Sequence, residues 1–170
     1  MLRVVGAVLL IGGTAFLGFS AAAALGRRVR TLRALLGVLE LMEREISFRL
    51  TPMPDLLEEL ARRARPPLRE LFMRCREGVN RLGEKDLGQL WRDALEQIPL
   101  GLEGEELGFL SELGDVLGRY DGEGQRAALE RCRGQLSETL RRAEAERVQQ
   151  GRMYGVLGLT AGAFLAIMLV

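Results

Sequence analysis

Histidine is absent from this 170-residue chain, which removes the commonest general base and the commonest metal-ligating side chain. Lysine is almost absent, since Lys85 is the only lysine among 24 basic residues and the other 23 are arginine. The two cysteines, Cys75 and Cys132, lack metal-site spacing, and the chain is not a cysteine-rich secreted scaffold. A disulfide between them stays open, but both fall on apolar helical faces, so we expect buried, reduced thiols.

Recognisable catalytic motifs are absent too. No glycine-rich loop is followed by a lysine, and Gly122-Glu123-Gly124 lacks the preceding strand that a dinucleotide-binding motif requires. No serine lies in a nucleophile elbow. The many carboxylates fall on predicted helix surfaces at pairing distance from arginines, as in Glu40–Arg44 and Glu45–Arg49. We therefore predict that the chain is not an enzyme and has no catalytic residue, cofactor or metal site.

The middle of the chain, residues 27–152, holds 23 basic and 23 acidic residues and has no net charge. A nucleic-acid-binding protein needs a surplus of positive charge to displace counterions from phosphates. Apolar residues recur throughout this region, which argues against disorder. We expect one folded helical domain that does not bind nucleic acid.

Both ends of the chain are apolar. Residues 4–25 contain no charge over 22 positions, and residues 153–170 contain none over 18, while a helix needs about 20 apolar residues to cross a bilayer. The predicted organisation is a transmembrane helix over 1–26, a cytoplasmic domain over 27–152 and a second transmembrane helix over 153–170.

Basic residues flank the middle domain, while Arg3 is the only charge on the other side of the first span. The positive-inside tendency therefore places the domain in the cytoplasm and both termini outside. The flanking arginines are Arg27, Arg28, Arg30, Arg33, Arg147 and Arg152.

Two other interpretations of the ends stay open. The first segment could be a cleaved signal peptide, with Ala22-Ala23-Ala24 as its cleavage site, although its charged region is minimal and its apolar stretch is long. The last segment could be a buried core helix, although its glycines favour close packing in lipid over a water-soluble helix.

Small residues recur every four positions in both apolar segments, which would let two helix backbones approach closely in lipid. We predict that the two spans pair with each other or with another subunit, and the alternative is that small residues are simply frequent in such spans. The residues concerned are Thr14, Gly18, Ala22, Gly26, Gly151, Gly155, Gly158 and Gly162.

The predicted fold is an all-α bundle of about six helices, the first and last long and continuous with the apolar ends. The first helix is expected to run unbroken over residues 3–50, about 70 Å. We expect Thr51 to cap the second helix, Asp86 with Gln89 to form a capping box on the fourth, and Gly118 and Asp121 to precede the last. The predicted inward residues are Leu32, Leu35, Leu39, Met42 and Ile46; Leu56, Leu57, Leu60, Ala61 and Ala64; Leu68, Leu71, Phe72, Cys75, Val79 and Leu82; Leu90, Trp91, Ala94, Leu95 and Ile98; Leu107, Leu110, Leu113 and Leu117; and Leu129, Cys132, Leu136, Leu140 and Ala143.

Three stretches resemble the stage III sporulation protein AB family. Residues 31–52, TLRALLGVLELMEREISFRLTP, resemble its arginine- and leucine-rich helix, Glu-x-Glu-Ile turn and Thr-Pro pair. Residues 91–95, WRDAL, resemble its Trp-x-x-Ala-Leu helix, and residues 113–129 resemble its segment of paired Leu-Gly dipeptides followed by Asp and Gln. The order and spacing carry the resemblance, and Met53-Pro54 departs from the usual pattern.

The resemblance implies a role in endospore formation, in the mother-cell membrane around the forespore. It implies a secretion-like transenvelope channel complex with other membrane subunits, and a cytoplasmic domain similar to type II secretion platform protein F. It also implies a companion secretion-type ATPase, stage III sporulation protein AA, as cytoplasmic partner. A membrane signalling adaptor or receptor subunit and a membrane enzyme are the alternatives.

A docking surface for such a partner is expected where the helices end, far from the predicted spans. Charged residues there would tune specificity and association rate, although they could equally be helix caps. The candidate partner-binding residues are Glu45, Arg49, Asp55, Arg119, Asp121 and Arg126.

Overall fold

The computed structural model describes the backbone of residues 2–49, 51–79, 86–117 and 122–169, and the side chains of residues 20–49, 51–79, 86–117, 123–151 and 153. The prediction of an all-α fold with two long outer helices is confirmed, because these ranges form six α-helices and no strand. The helices are α1 (Leu2–Arg44), α2 (Met53–Arg63), α3 (Leu68–Val79), α4 (Leu87–Gln97), α5 (Gly104–Val116) and α6 (Gly122–Leu169).

Helix α1 buries the predicted stripe of Leu32, Leu35, Leu39, Met42 and Ile46. The spacing of three and four residues places these side chains on one face, as an amphipathic helix requires. The prediction of an unbroken helix to residue 50 is wrong, because α-helical geometry ends at Arg44 and a π-turn follows over Glu45–Arg49.

Two hydrogen bonds between Glu45 and Thr51 hold the π-turn at its end. The Glu45 carbonyl accepts a hydrogen bond from the Thr51 backbone N–H at 3.3 Å, and its carboxylate accepts one from the Thr51 hydroxyl at 2.8 Å. The prediction that Thr51 caps α2 is therefore wrong. Its hydroxyl is bonded to Glu45, and the N-cap position is taken by Pro52, which makes no side-chain cap.

Helices α2 to α5 pack in chain order, α2 on α3, α3 on α4 and α4 on α5. All five predicted inward residues of α2 and the first five of α3 are buried, while Leu82 lies outside the described residues. In α4 and α5 the prediction is less accurate, because Leu90, Ile98 and Leu107 are only half-buried. Gly101 joins α4 to α5 in the left-handed region, with φ of +69°, which glycine adopts without steric cost.

The N-termini of α4 and α5 are both capped by side chains. The Asp86 carboxylate accepts from the Gly88 N–H at 3.1 Å, which confirms Asp86 as the N-cap of α4, while its capping box with Gln89 stays a prediction. Helix α5 begins with a reciprocal capping box between Glu103 and Glu106, in which the Glu106 carboxylate accepts from the Glu103 N–H at 2.7 Å. This box satisfies backbone donors that the first turn of a helix otherwise leaves unpaired.

Trp91 lies at the centre of the α3–α4–α5 packing and is fully buried. Its indole N–H donates to the Leu110 carbonyl of α5 at 2.8 Å, and its ring lies 6.0 Å from that of Phe72 on α3. Such a tilted ring pair adds to the stabilisation that comes from buried apolar area. Gly114 of α5 lies against the ring, since a Cβ built there would lie 2.3 Å from Trp91 Cδ1.

We expect Gly114→Ala to lower the free energy of unfolding by about 1–3 kcal/mol, because the added methyl group would force the indole or the α5 backbone to move. The matched control is Gly108→Ala on the same helix, where a Cβ meets nothing within 4 Å. That control should be neutral or stabilising by up to about 1 kcal/mol, since alanine favours helix over glycine. Chemical denaturation of the two variants tests the difference, and equal stabilities would refute the close packing.

Helix α6 buries Leu129, Cys132, Leu136 and Ala143, while the predicted inward residue Leu140 is half-buried. Both cysteines are buried and free, as predicted. Burial raises the pKa of the Cys75 thiol to about 12 and that of the Cys132 thiol to about 12, in the second case with help from the nearby charge of Glu112. Both thiols are therefore protonated and unreactive at neutral pH. Gly118 and Asp121 lie outside the described residues.

The chain divides into two compact units, residues 28–141 in one and residues 1–27 with 142–170 in the other. The domain boundaries at 26/27 and 152/153 stay predictions. Among residues with described side chains, no helix carries an apolar stretch long enough to cross a membrane. Of the predicted small-residue ladder, Ala22 is half-buried and Gly26 is buried. Thr14, Gly18, Gly155, Gly158 and Gly162 lie within α1 and α6, and their surroundings are outside what the structure describes.

Candidate functional site

The predicted docking residues occupy different environments. Glu45 is only 7% exposed, whereas Arg49, Asp55 and Arg126 are exposed. Glu45 and Arg49 are brought together as an ion pair at 3.3 Å, Asp55 lies in the first turn of α2, and Arg126 pairs with Glu130 on its own helix at 3.1 Å. Arg119 and Asp121 lie outside the described residues. The role of all six residues in partner binding stays a prediction.

Glu45 holds the end of α1 in place. Its carboxylate receives the Thr51 hydroxyl on one oxygen and faces the Arg49 guanidinium with the other. A nearly buried carboxylate is stabilised by charge-assisted hydrogen bonds of this kind. The residue therefore fixes the π-turn and leaves its neighbours Phe48 and Arg49 on the outside.

Phe48 is the exposed residue that sequence reasoning missed. Its side chain is 83% exposed, the highest value among the large apolar side chains found exposed in the described part of the chain. It borders a hollow of about 290 Å³ together with Leu41, Arg44, Glu45, Arg49 and Arg63. A signal was present in the sequence, since Leu41, Arg44 and Phe48 follow the same three-four spacing as the core stripe, on another face of α1.

Arginines surround Phe48, and their carboxylate partners are less exposed than they are. Glu45 and Glu59 have side chains 9% and 26% exposed, against 72% for Arg49 and 58% for Arg63. Arg63 lies 2.5 Å from Glu59, and its hydrogen bond, with the charges of Arg63 and Arg62, lowers the pKa of Glu59. Arg44 pairs with Glu40, whose side chain is 54% exposed, so the surface around Phe48 presents three guanidinium groups and one exposed carboxylate. We call Leu41, Arg44, Phe48, Arg49 and Arg63 the Phe48 surface.

A second polar cluster ties α1 to α5. Glu106 is fully buried and accepts from Arg28 Nε at 2.9 Å, while a second guanidinium nitrogen lies 2.8 Å away and the remaining one contacts Glu103. Arg28, which the sequence indicated only as a charge flanking the first apolar segment, is thus also part of a nearly buried ion pair. Farther along α1, Glu43 pairs with Arg133 of α6, so ion pairs join α1 to α5 and to α6.

The described sites offer ionic, hydrogen-bonding and apolar contacts. Within the described residues, no three or more His, Cys, Asp or Glu side chains are grouped so that they could hold a metal ion. The buried carboxylates Glu45 and Glu106 are both occupied by arginines and hydroxyl or backbone donors. The Phe48 surface combines an exposed aromatic ring with arginines, the residue types enriched at protein interfaces.

Comparison with known proteins agrees with the sequence resemblance. Residues 3–170 match the family model of stage III sporulation protein AB. The chain is 26% identical to the stage III sporulation protein AB of Bacillus subtilis (strain 168) over 172 residues, covering all of both chains. A solved structure of a stage III sporulation protein AB has the same fold, with a TM-score of 0.65 and 22% identity over 72% of this chain and 98% of that one. The chain therefore belongs to the stage III sporulation protein AB family, which implies a role in sporulation.

Proposed function

We propose that this protein is a membrane-anchored, non-enzymatic scaffold subunit of a secretion-like transenvelope channel complex required for endospore formation. Its helical domain lies in the mother-cell cytoplasm and docks a companion ATPase, stage III sporulation protein AA. Its two apolar ends lie in the mother-cell membrane around the forespore, with both termini outside. They pack there against each other or against other membrane subunits.

The uncharged ends support the anchoring. Twenty-two consecutive positions at one end and 18 at the other carry no charge. The backbone of these segments is helical from Leu2 and up to Leu169, and a helix is the one single-segment structure that satisfies its own backbone hydrogen bonds in lipid. The basic residues beside them favour a cytoplasmic location for the middle domain.

The Phe48 surface is the observation that carries the docking function. It lies where α1 ends, with Phe48 more than 20 residues beyond the uncharged segment, and it exposes an aromatic ring among arginines. Glu45 holds the π-turn of this surface through Thr51 and Arg49, which suits a scaffold with a fixed docking surface. The companion ATPase as partner comes from the family resemblance.

The proposal is tested with the full chain reconstituted in lipid nanodiscs and purified stage III sporulation protein AA. We expect saturable binding between the two and no nucleotide hydrolysis by the full chain alone. Nanodiscs that contain no protein are the control. Absence of binding at micromolar concentrations would contradict the docking function, and hydrolysis by the chain alone would contradict its non-enzymatic role.

A further inference from the structure

We propose that Phe48 is the anchor residue of an interface with a protein surface that carries carboxylates around an apolar pocket. This inference deepens the proposed function and rests on it, because the partner tested is the companion ATPase. The Phe48 ring would enter the apolar pocket of that partner. Arg44, Arg49 and Arg63 would pair with the carboxylates around the pocket.

The first support is the position of the ring. Single exposed apolar side chains are common on soluble proteins, so exposure alone indicates nothing. Phe48 is distinguished by its hollow of about 290 Å³ and by the half-buried Leu41 seven residues earlier on the same face. Together they form an apolar strip that a partner's side chains could cover. Met73, also exposed at 43%, does not border this hollow.

The second support is charge. The side chains of Arg44, Arg49 and Arg63 are 63%, 72% and 58% exposed, while those of their partners Glu40, Glu45 and Glu59 are 54%, 9% and 26% exposed. An approaching surface therefore meets more exposed guanidinium than exposed carboxylate around an apolar centre. Arginine pairs with carboxylates in a bidentate geometry that fixes orientation as well as affinity. Complementary charge makes an acidic partner surface the expected occupant.

The third support is preorganisation. Phe48 lies within the π-turn, and the turn is held by Glu45 through the Thr51 hydroxyl, the Thr51 N–H and the Arg49 guanidinium. Single-turn π geometry occurs frequently at functional sites of helices. A ring displayed by a fixed turn loses little conformational freedom on binding, so more of its contact energy appears as affinity.

A second copy of this chain is a poorer occupant than an acidic partner. A twofold contact through the Phe48 surface would place the same patch on both sides of the interface. Each copy would then bring Arg44, Arg49 and Arg63 to the same interface. Repulsion between these like charges would oppose the association.

The test measures the affinity of the full chain in nanodiscs for purified stage III sporulation protein AA. We expect Phe48→Ala to weaken binding at least tenfold, because anchor residues in interface centres carry much of the affinity. Met73→Ala, which removes another exposed apolar side chain of the same unit, should change the affinity less than twofold. Both variants should keep the wild-type melting temperature within about 2 °C, since surface changes barely affect stability.

A second pair of variants tests the charge of the partner. Arg44→Gln combined with Arg63→Gln should weaken binding severalfold at low salt and reduce its salt dependence. Arg69→Gln combined with Arg141→Gln removes the same charge from exposed positions of α3 and α6, and should leave the salt dependence unchanged.

The outcomes separate the two proposals. No binding by the wild-type chain would overturn the docking function and this inference together. Wild-type binding that Phe48→Ala leaves intact would overturn the anchor alone. Weakened binding by Phe48→Ala with unchanged salt dependence in the arginine variant would overturn the acidic partner. A wild-type dimer that Phe48→Ala dissociates would assign the surface to a second copy.

Discussion

Replacing Trp91 by alanine should lower the free energy of unfolding by about 3–5 kcal/mol, the range found when a large aromatic side chain is removed from a core. The indole is fully buried, contacts the Phe72 ring and packs directly on Gly114. The surrounding helices therefore cannot fill the cavity left by its removal unless α5 moves. Its hydrogen bond to the Leu110 carbonyl is lost at the same time.

Trp91→Phe separates the contributions of the ring and the N–H group. It keeps an aromatic ring but loses the donor to Leu110, so we expect a smaller loss than for alanine. Because Trp91 is the only tryptophan, urea unfolding should be followed by far-UV circular dichroism, not by fluorescence. A loss below about 1 kcal/mol for Trp91→Ala would contradict the central position of this side chain, since core truncations of this size cost more.

Replacing Arg28 by alanine should lower the free energy of unfolding by about 3–5 kcal/mol, because breaking a buried pair leaves an uncompensated charge. Arg28 has a side chain 12% exposed and Glu106 is fully buried. The Glu106 carboxylate would keep only its backbone donor from the capping box.

The control for Arg28 is Arg30→Ala, which removes the same charge from an exposed position two residues along α1. We expect a change within about 0.5 kcal/mol for this control. Adding Glu106→Gln to Arg28→Ala removes the unpaired charge and keeps an oxygen for the cap. The double variant should therefore be more stable than the sum of the single losses. Additivity within about 0.5 kcal/mol would mean that the two residues do not interact.

Helical periodicity predicted most of the core. The stripe from Leu32 to Ile46 and the inner face of α2 are buried as expected, because positions three and four apart share one face of any α-helix. Asp86 was found because aspartate before an apolar run is a frequent cap. The capping box of α5 was missed because its N-cap is Glu103, a residue type outside the preferred set.

The polar site could not be predicted in the same way, because it depends on contacts between distant parts of the chain. Arg28 and Glu106 are 78 residues apart in sequence, and no local pattern links them. The prediction for Thr51 failed because Glu45, six residues earlier, competes for its hydroxyl through the π-turn. The same turn buries the charged Glu45 and exposes the apolar Phe48, whereas their side-chain types favour an exposed glutamate and a buried phenylalanine.

The central claim is that the two uncharged ends of the chain lie in lipid, and the most direct measurement is fractionation of sporulating cells. The full chain should sediment with membranes, resist washing with alkaline carbonate and enter solution only with detergent. Recovery of the intact, unprocessed chain as a monomer in the aqueous supernatant would contradict the membrane-anchored scaffold.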